Sequence, residues 1–434
     1  MHSATDIRRV QSISRRRLWV LLPVLLVLTA GFYFARRSGS DYRIYTNDFN
    51  VYYFAAREVI AGHDPYTASL GPSTSYLYPP LLAELIVSLA MLPLPVSAYL
   101  WFLVSAASLA AAATMCAKLV CGDRPDDPAS SSFGQPRHLL VAGLSALVLL
   151  RFALDTFDMG QVNAIVVCLS VAHVYLFARG KSRASAVVLA LASAIKLWPA
   201  LLVLYHFSRG RTRFAVLCSL LIAAVTLGGF VALGPRAKGS FEQFYSRTVQ
   251  NGQGVDLTYS GNQSLRGALG RVMNESVEES QSPSTPIALT ASVILLLLSI
   301  FASRASMTEA RASSPFFCCM VLISPLAWKN HFILLLLPVA CLAQIMVTPA
   351  EGISRGGARV RSVAMWALVL SAVLFNLTSP KLIGLRSAEW ADAHSLVTLG
   401  GLVVLTAAAY TQRKSRNRKA SSTEEPAQAH CRKT

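Results

Sequence analysis

The amino-acid sequence predicts an all-α, polytopic integral membrane protein, and three observations favour this fold class. Of the 434 residues, 53% are hydrophobic and only 14% are charged, whereas in soluble domains roughly a quarter of the residues are charged. Apolar runs long enough for a membrane-spanning helix recur along nearly the whole chain. Lys and Arg are concentrated in the two tails and in short segments between these runs, which is the pattern of loops on the cytoplasmic side of a membrane.

The apolar runs predict about twelve membrane-spanning helices, because each crossing needs about 20 mostly apolar residues. The long runs cover residues 18–35, 97–120, 138–154, 162–178, 184–207, 214–233, 287–302, 331–347, 363–377 and 395–410. Two shorter runs, residues 80–92 and 315–327, contain or border prolines and are expected to be half-helices. The first run is too long for a signal peptide and no cleavage site follows it, so it is predicted to remain as a helix.

The charge distribution places both tails on the cytoplasmic face, which requires an even number of crossings. The basic segments at residues 209–213, 304–311 and 355–361 are predicted to lie on the same face. The basic segment at residues 181–183 conflicts with this arrangement, because simple alternation from the N-terminus places it outside. A broken or re-entrant helix around residues 196–199 would remove the conflict, since non-helical backbone is tolerated where protein buries it.

Two long polar segments, residues 36–78 and 234–286, follow helices that leave the cytoplasm and are predicted to be outer loops above the helical bundle. Residues 1–411 are predicted to form a single membrane domain, and residues 412–434 a basic, disordered cytoplasmic tail. The formal net charge of +18 lies in the tails and short loops, which argues against a nucleic-acid partner. The outer loops contain no cysteine and no Cys or His spacing matches a zinc site, so neither a disulfide framework nor a metal is predicted.

Asp48 in the first outer loop is the first candidate for chemistry. From residue 51 to residue 60 the apolar positions fall on one face at helical spacing, as in a helix that lies at the membrane surface. Asp48 stands just before this helix. Its carboxylate is predicted to cap the helix N-terminus or to act as a general base at the membrane surface, and the two roles are compatible.

Two further candidates lie where the first outer loop enters the membrane. Tyr78 precedes two prolines that fix the direction of the chain, and Glu84 follows inside an apolar run. A carboxylate in such a run is costly unless it faces the interior of the bundle or a polar cavity. Glu84 is therefore expected to face the bundle interior or such a cavity.

Polar residues also interrupt the apolar runs in the middle of the chain. Arg151 and Asp155 are four residues apart and are predicted to pair along one helix face. Gln161 and Asn163 open a helix, and their amides suit hydroxyl-rich ligands, although amides also bind neighbouring helices. Lys196 is followed by a helix-breaking proline, so its ammonium group either reaches the membrane interface or meets an anion, for which a lipid phosphate is the natural choice.

The second outer loop and the segment after residue 323 contain the remaining candidates. Arg266 and Arg271 lie on an outward loop against the usual charge distribution, which suggests a phosphate partner, although solvated arginines are the alternative. Asn262 precedes them in the GNQS segment. His331 lies between two apolar runs at the outer end of the bundle, where both a structural role and a role in an outer cavity are open.

These motifs, taken together and in this order, resemble glycosyltransferase family 87, the polyprenyl-phosphate-mannose-dependent α-mannosyltransferases of bacteria. The motifs are the loop aspartate followed by GHDPY at residues 62–66, YPP at 78–80, GQVN at 160–163, the Lys and Pro of 196–199, GNQS followed by an arginine at 261–266, and SPLAW followed by a histidine at 324–331. Each motif is short, but their order along nearly the whole chain makes the resemblance specific.

The resemblance implies a GT-C-type bundle with its site on the outer face of the plasma membrane. It implies inverting transfer of a hexose, mannose in this family, from a polyprenyl-phosphate donor to a hydroxyl of a glycolipid or glycan acceptor. Asp48 matches the family's base, and His331 the histidine beside it, although Lys329 and Asn330 lengthen the family's spacing here. Lys196, Arg266 and Arg271 are expected to stabilise charge on the phosphate. The residues expected to bind the sugar or the acceptor are Tyr78, Glu84, Gln161, Asn163 and Asn262. No cofactor is expected beside the donor substrate.

Two other functions share part of this pattern. A transporter or flippase of lipid-linked sugars would also have a polar cavity and intramembrane charges, but it would place them near the midplane and show an internal repeat. This chain has no detectable sequence repeat and concentrates its candidates in the outer loops. A cell-envelope glycan ligase or polymerase would use the same kind of donor and differ only in the acceptor, so the sequence leaves this alternative open.

Overall fold

The structure is a computed structural model that describes residues 24–39, 47–68, 75–122, 135–250, 256–275, 284–348 and 355–412. Within these ranges the chain forms helices joined by turns, and the first helix, α1, covers residues 24–38. The later helices are α2 (Asp48–Ile60), α3 (Leu81–Leu85), α4 (Val87–Ala90), α5 (Leu94–Cys121), α6 (Pro136–Asp158), α7 (Asn163–Ala178), α8 (Ser182–Ile195), α9 (Leu201–Ser208), α10 (Thr212–Ala232), α11 (Ala237–Tyr245), α12 (Leu265–Val272), α13 (Ser284–Ala305), α14 (Glu309–Leu322), α15 (Leu336–Val347), α16 (Arg355–Asn376), α17 (Pro380–Ile383), α18 (Leu385–Ala393) and α19 (Leu396–Gln412). The basic residues predicted to form the two cytoplasmic tails lie outside the described ranges.

Six helices in the described part of the chain are long and apolar enough to cross a membrane. They are Leu94–Cys121, Pro136–Asp158, Thr212–Ala232, Ser284–Ala305, Lys329–Val347 and Gly356–Asn376. A seventh is present if α18 and α19, which meet at 54°, form one bent span. These helices confirm the all-α polytopic fold class. The total of about twelve crossings stays a prediction, because α7 and α8 are apolar but shorter.

The helices α8 and α9 are too short to cross a bilayer one after the other. They contain 14 and 8 residues, which corresponds to about 21 Å and 12 Å of helix, against a hydrocarbon core of about 30 Å. α8 ends because Lys196 adopts an extended conformation, with φ −150° and ψ 123°. Pro199 then lies in a 3-10 turn, Trp198–Ala200, that starts the chain in a new direction.

The two turns that flank α8 and α9 lie at the same end of the bundle. The α7–α8 turn contains Gly180 and the α9–α10 turn contains Gly210, both with positive φ (74° and 71°), a conformation that glycine adopts without a steric cost. The guanidinium carbon of Arg211 in the second turn lies 4.5 Å from the ring centre of Phe177 beside the first. Lys196 is therefore the tip of a re-entrant pair, which is the arrangement that removes the conflict in the charge distribution.

The other basic segments gather at this same end, which we call the basic end. Arg211 forms an ion pair with Glu309 at the start of α14, with 2.6 Å between nitrogen and oxygen. Arg311 donates to the side-chain oxygen of Gln344 at 3.0 Å, and Arg361 donates to a backbone oxygen at the end of α15. The basic segments predicted to share a face therefore do share one.

The two polar loops contact each other at the opposite end, which we call the loop end. α10 leads away from the basic end for 21 residues and is followed by α11 in the second loop. The Gln243 side chain on α11 donates to the Asp64 carboxylate of the first loop at 3.0 Å. Arg247 donates to the backbone oxygen of Tyr66 at 2.7 Å. The described parts of both loops thus lie on one face of the bundle.

Candidate active site

The N-terminus of α2 is capped by Asn47, so the capping role predicted for Asp48 is wrong. The side-chain oxygen of Asn47 accepts the backbone N–H of Phe49 at 2.9 Å, and the Asn47 backbone is extended as a capping residue requires. Asp48 is the first residue of the helix, and its backbone N–H donates to the carbonyl oxygen of Met159 at 2.9 Å. The Asp48 carboxylate is therefore not needed for the cap.

Gly160 allows the turn between α6 and α7 to approach the start of α2. Its φ is +62°, and a Cβ added to it would lie 2.7 Å from the Cβ of Phe49 and 2.8 Å from the side-chain oxygen of Asn47. The carbonyl oxygen of Gly160 also accepts the indole N–H of Trp101 at 2.8 Å. The glycine of the GQVN motif thus places Gln161 directly beside α2.

The Gln161 side chain connects two tyrosines to Asp48. Its Oε1 accepts the backbone N–H of Val162 at 3.1 Å, which assigns the amide orientation because a backbone N–H can only donate. The Tyr52 hydroxyl lies 2.9 Å from Oε1 and 3.0 Å from the Tyr78 hydroxyl. Nε2 of Gln161 donates to the Tyr78 hydroxyl at 3.2 Å and to the Asp48 carboxylate.

The GHDPY and YPP motifs of the first loop fix the position of Tyr78. Asp64 accepts the backbone N–H of Tyr66 at 3.0 Å and caps the 3-10 turn Pro65–Thr67. The Tyr66 hydroxyl then donates to the backbone oxygen of Tyr78 at 2.7 Å. The Tyr76 hydroxyl donates to the backbone oxygen of the next residue, Pro79, at 2.8 Å. These bonds tie the loop to the point where the chain enters the membrane.

Lys196 lies at the centre of a second group of polar side chains. Its Nζ donates to Oδ1 of Asn163 at 2.7 Å and lies 3.0 Å from Nε2 of His331. Nδ2 of Asn163 donates in turn to Oδ1 of Asn330 at 3.1 Å. The ammonium group also lies 5.8 Å from the ring centre of Tyr78, within cation–π range. Lys196 is only 8% exposed, so its side chain does not simply extend to the interface.

Most of the predicted site residues therefore meet at one place, which we call the polar cluster. The cluster consists of Asp48, Tyr52, Tyr78, Gln161, Asn163, Lys196 and His331. It joins α2, the YPP segment, the starts of α7 and of the 3-10 helix Lys329–Leu335, and the tip of the re-entrant pair. It brings one carboxylate, one ammonium group and several hydroxyl and amide groups together.

The environment of Asp48 changes its acidity. Burial raises the pKa of the Asp48 carboxyl to about 6, while the Lys196 ammonium group and the Gln161 donor act in the opposite direction. Burial also raises the pKa of the Tyr78 hydroxyl above its ordinary value, so this hydroxyl stays protonated near neutral pH. A carboxylate with a pKa of about 6 is mostly ionised at pH 7 and is a stronger base than an ordinary aspartate.

Asn262 connects the GNQS loop to the SPLAW segment. Its Nδ2 donates to the backbone oxygens of Leu257 and Pro325 at 2.8 and 3.0 Å. Its Oδ1 accepts the backbone N–H groups of Ser264 and Ala327 at 3.2 and 2.9 Å. The sugar-binding role predicted for Asn262 would require one of these bonds to break. These bonds fix the position of the SPLAW segment, which leads to His331.

The two arginines of the second loop have protein partners of their own. Arg266 pairs with Glu275 at 2.9 Å, and the two side chains are 11% and 2% exposed. Arg271 donates to four backbone oxygens, including that of Asn262 at 2.9 Å, and to the Ser395 hydroxyl at 2.7 Å. Arg266 also donates to the Thr285 hydroxyl on α13 at 3.1 Å. These contacts hold the loop against α13 and against the turn between α18 and α19. The phosphate-binding role of the arginines stays a prediction.

Glu84 and the pair Arg151–Asp155 lie elsewhere in the bundle. Glu84 is on α3, which packs against α8 and α10, and its Oε1 is buried without a hydrogen-bond partner among the described residues. Its predicted contact with sugar or acceptor stays a prediction. Arg151 and Asp155 form the expected pair, with 3.7 Å between nitrogen and oxygen.

Three residues with a part in this site were not predicted as members of it: Asn47, Tyr52 and Asn330. Tyr52 lies within the segment with the apolar helix face, residues 51–60. A tyrosine ring fits such a face, and its hydroxyl has no sequence signature. Asn330 was treated only as a spacer before His331. The Asn47-Asp48 pair did contain a usable signal, since asparagine and aspartate are equally good capping residues and the helix could begin after either.

A sequence model described as Glycosyltransferase family 87 matches residues 76–328, which is more than half of the chain. The chain belongs to glycosyltransferase family 87. The matched region contains the YPP, GQVN, GNQS and SPLAW motifs and Lys196. The family resemblance inferred from the order of the motifs is therefore confirmed, and the chain is an enzyme of the membrane glycosyltransferase class.

The family 87 chain is also similar to proteins of mycobacteria. It is 24% identical over 385 residues to the polyprenol-phosphate-mannose-dependent alpha-(1-2)-phosphatidylinositol mannoside mannosyltransferase of Mycobacterium tuberculosis (strain ATCC 25618 / H37Rv), covering 85% of this chain and 83% of that protein. The protein of the same name from Mycolicibacterium smegmatis (strain ATCC 700084 / mc(2)155) is 24% identical over 387 residues, with 84% and 81% covered. A phosphatidylinositol pentamannoside mannosyltransferase of Mycobacterium tuberculosis (strain CDC 1551 / Oshkosh) is 24% identical over 305 residues, with 70% and 65% covered.

Proposed function

We propose that this family 87 enzyme transfers mannose from a polyprenyl-phosphate donor to a hydroxyl group of a glycolipid acceptor. The observation that carries the proposal is the polar cluster, in which a half-buried carboxylate and a buried ammonium group interact at the loop end of the bundle. The mycobacterial relatives are named for this donor and for phosphatidylinositol mannoside acceptors. A flippase would need none of the base chemistry that Asp48 can supply.

The reaction we propose is a single displacement with inversion. The acceptor oxygen attacks the anomeric carbon of the donor sugar, and its proton passes to the Asp48 carboxylate. The bond between that carbon and the phosphate oxygen breaks, and its electron pair leaves with the polyprenyl phosphate. The Lys196 ammonium group lies where it would stabilise the charge that grows on the phosphate. The base and the leaving group act on opposite faces of the sugar, as in inverting glycosidases.

We assign the amides and hydroxyl of the cluster to sugar recognition. Gln161 and Asn163 are buried and already bond within the cluster, so a sugar hydroxyl would replace one of these bonds. Buried polar groups that bond a ligand hydroxyl discriminate strongly against ligands that lack it. Each step of this assignment uses side chains of the protein and the lipid-linked donor substrate. We propose no cofactor.

We propose that the loop end lies on the outer face of the plasma membrane and that both tails are cytoplasmic. The gathering of the basic segments at one end supports this orientation. In a cysteine-free background, single cysteines at His63 and at Lys238, both exposed at the loop end, should react with an impermeant maleimide added to intact cells. A cysteine at the exposed Arg213 of the basic end should react only after permeabilisation. Labelling of the two loop-end cysteines from different sides would refute the topology.

The activity is tested with purified protein in nanodiscs, radiolabelled polyprenyl-phosphate mannose and phosphatidylinositol mannosides as acceptors. We expect transfer that requires the lipid-phosphate donor, and Asp48→Asn should lower the transfer rate by roughly two or more orders of magnitude. Nucleotide-sugar donors are the negative control. Movement of the labelled donor between leaflets without transfer would indicate the flippase alternative, and transfer only to a polymer would indicate a ligase.

A further inference from the structure

We propose that Tyr52 is a positioning residue for sugar transfer: its hydroxyl holds the Gln161 amide in the orientation that presents an N–H group to the Asp48 carboxylate. The inference rests on the proposed role of Asp48 as the base. Tyr52 itself does not touch the reacting atoms. It acts through Gln161, which in turn acts on Asp48.

Every hydrogen in this network has a consistent assignment. The backbone N–H of Val162 identifies Oε1 of Gln161 as the acceptor atom. The Tyr52 hydroxyl is the nearer of two tyrosine donors to Oε1, at 2.9 Å against 3.3 Å for the Tyr78 hydroxyl, and we assign the bond to Tyr52. The Tyr78 hydroxyl then donates to the Tyr52 oxygen at 3.0 Å, and one N–H of Gln161 donates to the Tyr78 oxygen at 3.2 Å. The ring is closed, and the second N–H of Gln161 is left for Asp48.

The position of Tyr52 is itself tightly determined. The side chain is fully buried, at 0% exposed, and its ring packs edge-on against Tyr78 with 5.0 Å between centroids and against Trp101 with 5.8 Å. Asp48 and Tyr52 are four residues apart on α2, so they lie on one face of the helix. One helix thus carries both the base and the hydroxyl that orients the donor to the base.

The charged groups around Asp48 allow a specific effect to be predicted. Lys196 faces it from the tip of α8, and the two tyrosine hydroxyls face it from α2 and the YPP segment. The nearby Asp158 pairs with Arg37 at 3.5 Å on the exposed side. A hydrogen-bond donor to the charged carboxylate lowers its pKa. If the Gln161 amide loses its fixed orientation, the pKa of Asp48 should therefore rise, and a smaller fraction of the carboxylate should be ionised at low pH.

The test is Tyr52→Phe, which removes one oxygen atom and keeps the ring packing. We expect the transfer rate to fall about three- to tenfold. We also expect the acidic limb of the plot of kcat/KM against pH to shift to higher pH by about half a unit. Tyr53→Phe is the matched control, because Tyr53 is the next residue of α2 and its hydroxyl donates to the backbone oxygen of Leu92, at 2.8 Å, outside the polar cluster. Tyr53→Phe should leave the limb in place.

A double variant separates positioning from general damage. Gln161→Met should move the acidic limb upward by itself, and adding Tyr52→Phe to it should cause no further shift, because both changes break the same connection. A Tyr52→Phe profile that coincides with that of Tyr53→Phe, or a further shift in the double variant, overturns the inference. If Tyr52→Phe does not fold, an unmoved limb in Gln161→Met overturns it equally.

The same assay distinguishes failure of the inference from failure of the proposed function. Near-normal transfer by Asp48→Asn would refute the base itself, and the positioning role would fall with it. An inactive Asp48→Asn together with an unmoved limb in Tyr52→Phe would refute only the role of Tyr52.

Discussion

The side-chain nitrogen of Lys196 lies 3.0 Å from Nε2 of His331, and this contact sets the tautomer of the histidine ring while Lys196 carries its charge. A lysine ammonium group has three donors and no acceptor, so Nε2 must accept and the ring must carry its proton on Nδ1. His331 is then neutral whenever Lys196 is charged. The contact favours a histidine that orients the lysine over one that donates a proton from Nε2.

This relationship predicts the ranking of two His331 variants. In His331→Gln an amide oxygen can replace Nε2 as the acceptor for Lys196, whereas His331→Leu offers no acceptor. We expect His331→Gln to transfer sugar about ten times faster than His331→Leu, since a lost bond to a charged group is worth roughly 1.5–3 kcal/mol. Equal and complete inactivity of both variants would instead favour a proton-transfer role for the imidazole.

The cap of α2 predicts different roles for two adjacent residues: Asn47 stabilises the helix, and Asp48 is needed for activity. Asn47→Ala removes the acceptor for the Phe49 N–H and should cost about 1 kcal/mol of unfolding free energy. Asp48→Ala should cost less than Asn47→Ala and yet abolish transfer. Thermal melts in detergent beside the transfer assay would measure both effects. A larger loss of stability in Asp48→Ala would contradict the assignment of the cap.

The raised pKa of Asp48 predicts the pH dependence of both activity and stability. As a base with a pKa of about 6, Asp48 should give kcat/KM values that fall tenfold per pH unit well below pH 6. The folded pKa exceeds the unfolded one, so the stabilisation is fully present below about pH 4 and is lost as the pH rises through 6. The melting temperature of wild type relative to Asp48→Asn should therefore fall between pH 4 and pH 7.

Lys196 should affect use of the donor more than folding. Lys196→Met keeps much of the apolar stem and removes the charge, and we expect the KM for the lipid-phosphate donor to rise about tenfold or more. Lys238→Met, at an exposed lysine of the same face (side chain 90% exposed), is the matched control. An unchanged donor KM in Lys196→Met would refute the phosphate role.

Arg271 should affect folding more than use of the donor. Its guanidinium group joins several backbone oxygens of the second loop to Ser395, so Arg271→Ala should lower the melting temperature. We expect the donor KM of the folded variant to stay unchanged. A raised donor KM with a normal melt would restore the phosphate-binding role predicted from the sequence.

The sequence was sufficient for those features that have a chemical cost. A lysine or an aspartate beside apolar runs demands a partner, so Asp48 and Lys196 could be recognised without coordinates. Residues that act by positioning other residues carry no such signal in the sequence. Tyr52 looks like any aromatic residue of a buried helix face, and Arg271 looks like a phosphate ligand until its backbone partners are seen. The cap was misplaced by one residue because Asn47 and Asp48 are equivalent by residue type.

The re-entrant pair α8–α9 also changes how the chain should be counted through the bilayer. A hydropathy plot assigns one traverse to residues 184–207, but the pair starts and finishes at the basic end and contributes none. The segments before and after the pair therefore lie on the same face, whereas a plain hydropathy count places them on opposite faces. A reporter enzyme fused after Arg213 and one fused after Arg179 should thus give the same compartment signal, although an apolar stretch of full spanning length separates them.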